Sequence, residues 1–321
     1  MIHVDAPPLL VVALGGNAMQ DPSGDDSVDS DFATTTATAR RLAALVADGS
    51  WRLVVTHGNG PQVGNHLLRS ELGHELGGLP DLPLEVCVAD TQGGMGYMLQ
   101  QCVTNALHEA GVPGVVATVV TQVVVDSDDP AFGSPSKPVG EMISSEKVDA
   151  MRARGWTLVE DHHRGGFRRV VASPDPLEIV EAAAIRTLVD DGVVVVGAGG
   201  GGIPVALVGG GSLTGVPAVI DKDLASSLLA VDLDAEALLI LTDVDRVYVG
   251  FDSPRQSALT DVSVPDLRTY QAAGEFGEGS MGPKVEACCR FVESTRRSAF
   301  IGPVAGAADT LEGKVGTRIH P

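Results

Sequence analysis

Two apolar runs that each end at a glycine–asparagine loop constrain this chain more than any other feature. Leu9 to Leu14 is continuous and apolar and stops at Gly15-Gly16-Asn17-Ala18. Arg52 to Thr56 repeats the pattern before His57-Gly58-Asn59-Gly60-Pro61-Gln62. Runs without polar alternation are buried on both faces, as in a parallel sheet covered by helices on each side. Two more follow, Val193 to Val196 before a glycine run and Ala237 to Leu241 before Thr242-Asp243-Val244-Asp245. The spacing predicts an α/β protein whose loops gather at one edge of a mostly parallel sheet, where such folds bind ligands.

The stretch from Gly215 to Ala230 carries the chemistry. A β-branched segment reaches Asp221-Lys222-Asp223 and then an apolar-periodic run, predicting a strand from Gly215 to Ile220 and a helix that opens at Lys222. Lysine is scarce: there are five (Lys137, Lys147, Lys222, Lys284, Lys314) against seventeen arginines. Lys137, in Ser136-Lys137-Pro138, and Lys284, after Met281-Gly282-Pro283, also lie in loops or helix starts. Three such lysines predict one site for a polyanion, although a lone lysine is more often a solvated surface cation.

The formal charge of -20 argues against nucleic-acid partners and anionic membrane surfaces, both of which require a basic face. Asp outnumbers Glu by 27 to 15, a profile suited to a high-salt cytoplasm where charges are screened over roughly 3 Å at 1 M salt. Four cysteines without C-x-x-C spacing read as reduced core residues of a cytoplasmic protein. Residues 1 to 8 show no secretory signal, and no apolar run reaches the roughly 18 residues needed to cross a bilayer.

Along the chain, Thr34 to Ala47 and Leu84 to Ala110 read as helices, the second interrupted at Gln92-Gly93-Gly94-Met95-Gly96, whose glycines predict close packing against a neighbour. Val115 to Val125 is one long β-branched run, and Leu158 to Val171 alternates like a hairpin. Residues of approximately 120–172 break the strand–helix rhythm and read as a protruding, partly β lid that carries Lys137. Asp161-His162-His163 lacks a spaced third ligand, so no metal site is assigned. Gly197-Ala198-Gly199-Gly200-Gly201-Gly202 fits G-x-G-x-x-G, but Ile203-Pro204-Val205 cannot open the helix a dinucleotide site needs. These glycines instead predict cover for nucleotide phosphates. His57, at a strand end, is a candidate acid or base, but a structural hydrogen-bonding role is favoured because phosphoryl chemistry needs little proton transfer.

Taken together, THGNGPQVGN (56–65), TQVVVD (121–126), SKPVG (136–140), GAGGGGIPV (197–205), VIDKDLAS (219–226), LTDVDRVYV (241–249) and GSMGPKVEA (279–287) resemble the carbamate kinases of the amino-acid kinase superfamily over essentially the whole chain. The resemblance implies a single domain over 1–321: a three-layer αβα sandwich around a mostly parallel open sheet, with a small protruding subdomain. Its N-terminal lobe would hold carbamate or carbamoyl phosphate, and its C-terminal lobe, approximately 193–321, the nucleotide. It also implies a cytoplasmic homodimer, ATP or ADP with Mg²⁺, and the reversible reaction of ATP and carbamate to ADP and carbamoyl phosphate, ATP-forming in arginine catabolism. Lys137, Lys222 and Lys284 would be the phosphoryl-site lysines, with Asp223 orienting them. Gly15, Gly16, Asn17, Gly58, Asn59 and Gly60 would face the carbamate side. Gly199, Gly200, Asp243, Val244, Tyr248, Met281 and Gly282 would lie along the nucleotide. Two departures stand out: Glu141-Met142-Ile143, where the family resembles Pro with aromatics, and Gly94, where a larger residue is usual.

Another amino-acid kinase acting on a carboxylate, or a catalytically silent protein of the same fold, are the competing readings. The first is disfavoured by Asn17, which stands where those relatives resemble one another in carrying lysine. The second is disfavoured because all three site lysines are present.

Overall fold

A computed structural model describes residues 6–21, 27–161, 165–277 and 281–321. Its main sheet has eight strands in the order Asp261–Ser263, Thr317–His320, Ala299–Pro303, Ala237–Thr242, Leu9–Leu14, Arg52–His57, Val194–Val196 and Val116–Thr118. The last six run parallel, and the first two run antiparallel to them.

Strand periodicity builds the layers. Leu9, Val11 and Ala13 face one core together with Val54, Leu238 and Ile240, under the helices Ala182–Asp190, Lys222–Asp232, Val264–Ala272 and Met281–Thr295. Leu10, Val12 and Leu14 face the other with Leu53, Val55 and Leu239, under the helices Val28–Ala47, Leu84–Glu109 and Ala307–Leu311. Side chains of one strand alternate between two buried faces, so Leu9–Leu14 carries no polar residue on either. The expected three-layer α/β sandwich is the observed one.

Several local expectations change. The helix Leu84–Glu109 is continuous, because Gly96 is used for contact: a Cβ there would fall 2.4 Å from Thr118 Cγ2 in the edge strand. The helix Val28–Ala47 starts earlier than Thr34, capped by the Ser27 side chain on the N–H of Ser30. The run Val115 to Val125 is two strands in different sheets: Val116–Thr118 joins the main sheet, and Gln122–Val124 pairs parallel with Ile203–Val208 in a four-stranded sheet. At the crossing, buried Gln92 exchanges two hydrogen bonds with the Thr121 backbone, at 3.0 and 2.8 Å. The Thr121 N–H is thereby satisfied, and the Thr121 carbonyl also accepts from the Ile203 N–H at 2.9 Å.

The predicted strand from Gly215 to Ile220 is not one. The strand Ser212–Gly215 ends there, and the buried segment beyond makes a single bridge, Ala218 to Ala172. Pro217 has no N–H to continue a ladder.

A three-stranded antiparallel sheet of Lys137–Ile143, Phe167–Val171 and Leu158–Glu160 stands over the helix Gln62–Gly77. Its contact with that helix is backbone on backbone: a Cβ on Gly64 would lie 2.2 Å from Gly140 Cα. Arg169 of this sheet pairs with Glu71 at 2.9 Å and stacks 4.1 Å over Trp156. His162 and His163 lie outside the described residues.

Candidate active site

Strands Leu9–Leu14, Arg52–His57, Val194–Val196 and Ala237–Thr242 are parallel, so the loops after them open at the same edge of the sheet. There a cavity of about 440 Å³ is lined by Gly16, Asn17, Gly58, Asn59, Gly60, Lys137, Lys222, Asp223 and Lys284, among others. Residues from five distant parts of the chain thus meet at one opening.

Local structure explains each placement. Asp221 caps the Lys222–Asp232 helix, its Oδ1 accepting from the N–H groups of Asp223 at 2.9 Å and Leu224 at 3.4 Å. That cap fixes Lys222 in the first turn, and the Ser226 hydroxyl, 2.6 Å from that of Thr56, ties the turn to its neighbouring strand. The aliphatic stem of Lys222 then crosses Gly58, where a Cβ would lie 3.3 Å from its Cδ. Lys284 sits in the first turn of the Met281–Thr295 helix, so the N-terminal turns of two helices open on the cavity.

Asp223 is the hub. It is 2% exposed; its Oδ1 accepts from Lys222 and its Oδ2 from Lys284 at 3.0 Å. Burial alone would raise its pKa, but the two ammonium groups outweigh burial and hold the carboxyl well below the usual range. Burial pushes Lys222 below its ordinary value against the pull of Asp223, and the charge of Lys284 adds to that push. Burial also works against Lys284, yet Asp223 outweighs it and that ammonium sits above its ordinary value. On the lid side, Lys137 Nζ lies 2.5 Å from Asp221 Oδ2. With Arg168, which also lines the cavity and donates to Gly140 O at 3.2 Å, four cations face two carboxylates. Such a site attracts an anion of several charges.

The remaining predicted residues separate into two groups. The Gly15 N–H donates to Leu241 O at 3.1 Å, and Asn17 Nδ2 donates to Asp243 Oδ2 at 3.2 Å, joining the first glycine loop to the loop after Thr242. Gly200 lines the cavity with Asn59 against it, whereas Gly199 is buried behind: its Cβ would fall 2.4 Å from His57 Nε2. Gly15, Asp243, Val244, Tyr248, Met281 and Gly282 are not among the residues that line the cavity. Tyr248 bonds Asp245 at 2.9 Å, with exposed Phe251 beside its ring. Gly282 donates to Gly277 O at 2.9 Å.

His57 does not line the cavity and is 1% exposed. Its Nδ1 donates to Gly58 O at 2.8 Å. Burial pushes its pKa down to about 4, against the Gly58 hydrogen bond and with the help of the Lys222 charge. It is a neutral structural imidazole at pH 7. Arg168 and Gln20 line the cavity without having been singled out in the sequence. Arg168 stood in the hairpin beside Arg169 with nothing to rank one above the other, and Gln20 stood at the head of a polar loop.

The sequence profile of the amino acid kinase family matches residues 8–303. The carbamate kinase of Thermococcus kodakarensis is 44% identical over 311 residues, 97% of this chain and 98% of that protein. The carbamate kinase of Clostridium perfringens is 46% identical over 313 residues, 97% of this chain and 99% of that one. Among solved structures, the carbamate kinase of Giardia lamblia bound to AMP-PNP superposes with a TM-score of 0.89 at 39% identity, covering 98% of this chain and 99% of its own.

Proposed function

The chain belongs to the amino acid kinase family, and from that premise we propose how its lysine cavity works. The activity is phosphoryl transfer to carbamate: a carboxylate oxygen of carbamate takes the γ-phosphoryl group of ATP, and ADP leaves with the bridging oxygen, reversibly. The observation that carries the mechanism is Asp223 held between Lys222 and Lys284.

Phosphoryl transfer spreads negative charge over the equatorial, attacking and leaving oxygens, so positioned cations do most of the work. Lys222 and Lys284 are aimed by one shared carboxylate and meet that charge as fixed points. Asp223 pulls the pKa of both ammonium groups upward against burial, which favours their neutral forms. Lys137 approaches from the lid and exchanges Asp221 for a phosphoryl oxygen when substrate enters. Gly16, Gly58 and Gly60 leave backbone close to the acceptor carboxylate, with Asn17 and Asn59 beside them. Beyond Lys284, the shelf of Asp243, Val244, Tyr248, Met281 and Gly282 carries the nucleoside, and Gly199 and Gly200 support the wall behind its phosphates.

The four cations suit a polyphosphate, and the two lining carboxylates are already engaged by lysines. Mg²⁺ would therefore be held by the substrate's phosphate oxygens rather than by Asp221 or Asp223, and would supply neutralisation of phosphate charge there. We read the enzyme as cytoplasmic, ATP-forming in carbamoyl phosphate and arginine catabolism, and homodimeric. Four buried free cysteines support a reducing compartment, and exposed Leu72, Leu76 and Tyr97 support association. Among the described residues no helix is long and apolar enough to cross a membrane.

The test is to supply ATP, Mg²⁺, ammonia and ¹³C-bicarbonate, which form carbamate in solution, and to follow ³¹P and ¹³C resonances. Carbamoyl phosphate forming together with ADP is expected. ATP binding without that product would remove the proposal.

A further inference from the structure

Carbamate and acetate share a carboxylate and nearly the same shape, and differ in an amino group against a methyl. Lysines, Arg168 and backbone N–H groups are donors only, so they bind both carboxylates alike. Discrimination requires a hydrogen-bond acceptor on the acceptor side of the cavity.

Asn17 donates its Nδ2 to Asp243, which orients its carboxamide toward the loop after Thr242, and the Asn59 amide nitrogen faces Gly200. Gln20 stands differently. Its backbone N–H donates to Gly16 O at 3.0 Å, which fixes the base of the side chain on the first glycine loop. Its Oε1 then reaches the second loop: a Cβ would fall 2.9 Å from it on Gly60 and 3.9 Å on Gly16. Among the described residues the Gln20 carboxamide has no hydrogen-bond partner.

Gln20 also divides two spaces. It lines the lysine cavity and a neighbouring one of about 360 Å³ lined by Met19, Phe32, Met95 and Met98. Gln62 Oε1, buried and without a partner among the described residues, stands at the same corner, 2.7 Å from the Gly60 Cβ position. A corner with two carboxamide oxygens, backed by apolar side chains, suits an N–H donor and offers a methyl group nothing.

We propose that Gln20 determines acceptor specificity, its Oε1 accepting an N–H of the carbamate amino group so that carbamate is preferred to acetate. This rests on the carbamate reading above.

The experiment uses the full chain in the ATP-forming direction, measuring kcat/KM for carbamoyl phosphate and for acetyl phosphate with Mg²⁺ and ADP. Gln20→Leu should lower the ratio of the two at least about tenfold, because a site built for a hydrogen bond loses its preference when the acceptor is removed. Gln20→Glu keeps the oxygens and should hold the ratio within about threefold, even where its charge slows both reactions. If Gln20→Leu is not folded by circular dichroism, Gln20→Met is read in its place. An unchanged ratio in the apolar variant, with both rates falling together, would overturn the role of Gln20 alone; so would a Gln20→Glu ratio that falls as far as the leucine one. A wild-type enzyme that makes ATP from neither donor would overturn the carbamate reading itself.

Discussion

Lys284 places its ammonium 3.0 Å from Oδ2 of Asp223, across the gap between the helices that begin at Lys222 and Met281, while Lys222 takes the other oxygen of the same carboxylate. One buried anion thereby aims two cations, and the first predictions test that geometry.

Lys222→Ala should lower kcat by about 10²–10³-fold, the usual loss when one preorganised group that stabilises developing charge is removed. Circular dichroism should remain that of the wild type, because the Asp221 cap and the Ser226 contact hold the helix start without the ammonium. Steady-state kinetics that stay within about tenfold of wild type, a barrier change of only ~1.4 kcal/mol, would remove Lys222 from its role.

Asp223→Asn leaves two buried ammonium groups without their counter-ion and should cost about 3–5 kcal/mol at pH 7. The folded carboxyl titrates below its unfolded value near 4, so its stabilisation is complete above about pH 5 and is lost as pH falls through the folded value. Urea unfolding of both proteins should therefore show a gap that is constant from pH 8 to 5 and narrows below about pH 4. A gap that is already closing at pH 6 would contradict the assignment.

His57 supplies the opposite case, a base buried neutral. Its folded value of about 4 lies below the unfolded 6.5, so the unfolded chain binds more protons between those pH values. Stability should fall as pH drops from 6.5 to 4, by about 3 kcal/mol from this group. His57→Gln should be less stable at pH 7 yet show a shallower slope through that window, measured by thermal or urea unfolding.

Gly64→Ala should disturb the lid. The new Cβ would meet Gly140 backbone at 2.2 Å, and Gly140, at φ +73°, belongs to the strand that begins with Lys137. Overpacking of this kind costs about 1–3 kcal/mol. KM for carbamoyl phosphate should rise several-fold as Lys137 shifts. Gly93→Ala, in the same layer but with open space around it, should leave Tm unchanged or higher. Equal effects of the two would show that the backbone contact has no functional weight.

Much of this was legible in the chain. Runs such as Leu9–Leu14 announced a doubly buried parallel sheet, and the scarcity of lysine marked Lys137, Lys222 and Lys284 before any distance was known. What stayed hidden depended on tertiary partners. The segment before Asp221 has strand composition but runs between sheets, because Pro217 and its neighbours find no ladder to join. Gly199 read as a nucleotide-side glycine, yet its missing Cβ makes room for His57, whereas Gly96 packs closely against Thr118 as its spacing predicted. Gln20 carries no signal in one dimension, since only the meeting of the Gly16 and Gly60 loops gives its carboxamide a place.

The most direct measurement is the initial rate of ATP formation from ADP, Mg²⁺ and carbamoyl phosphate, for the wild-type chain and for Lys222→Ala, at low and at multimolar KCl. Turnover by the wild type, reduced at least about a hundredfold in the variant at every salt concentration, is the predicted result. A higher wild-type rate in KCl would fit screening of the -20 surface charge. Absence of ATP from the wild type at every salt concentration, with ADP bound, would contradict the account.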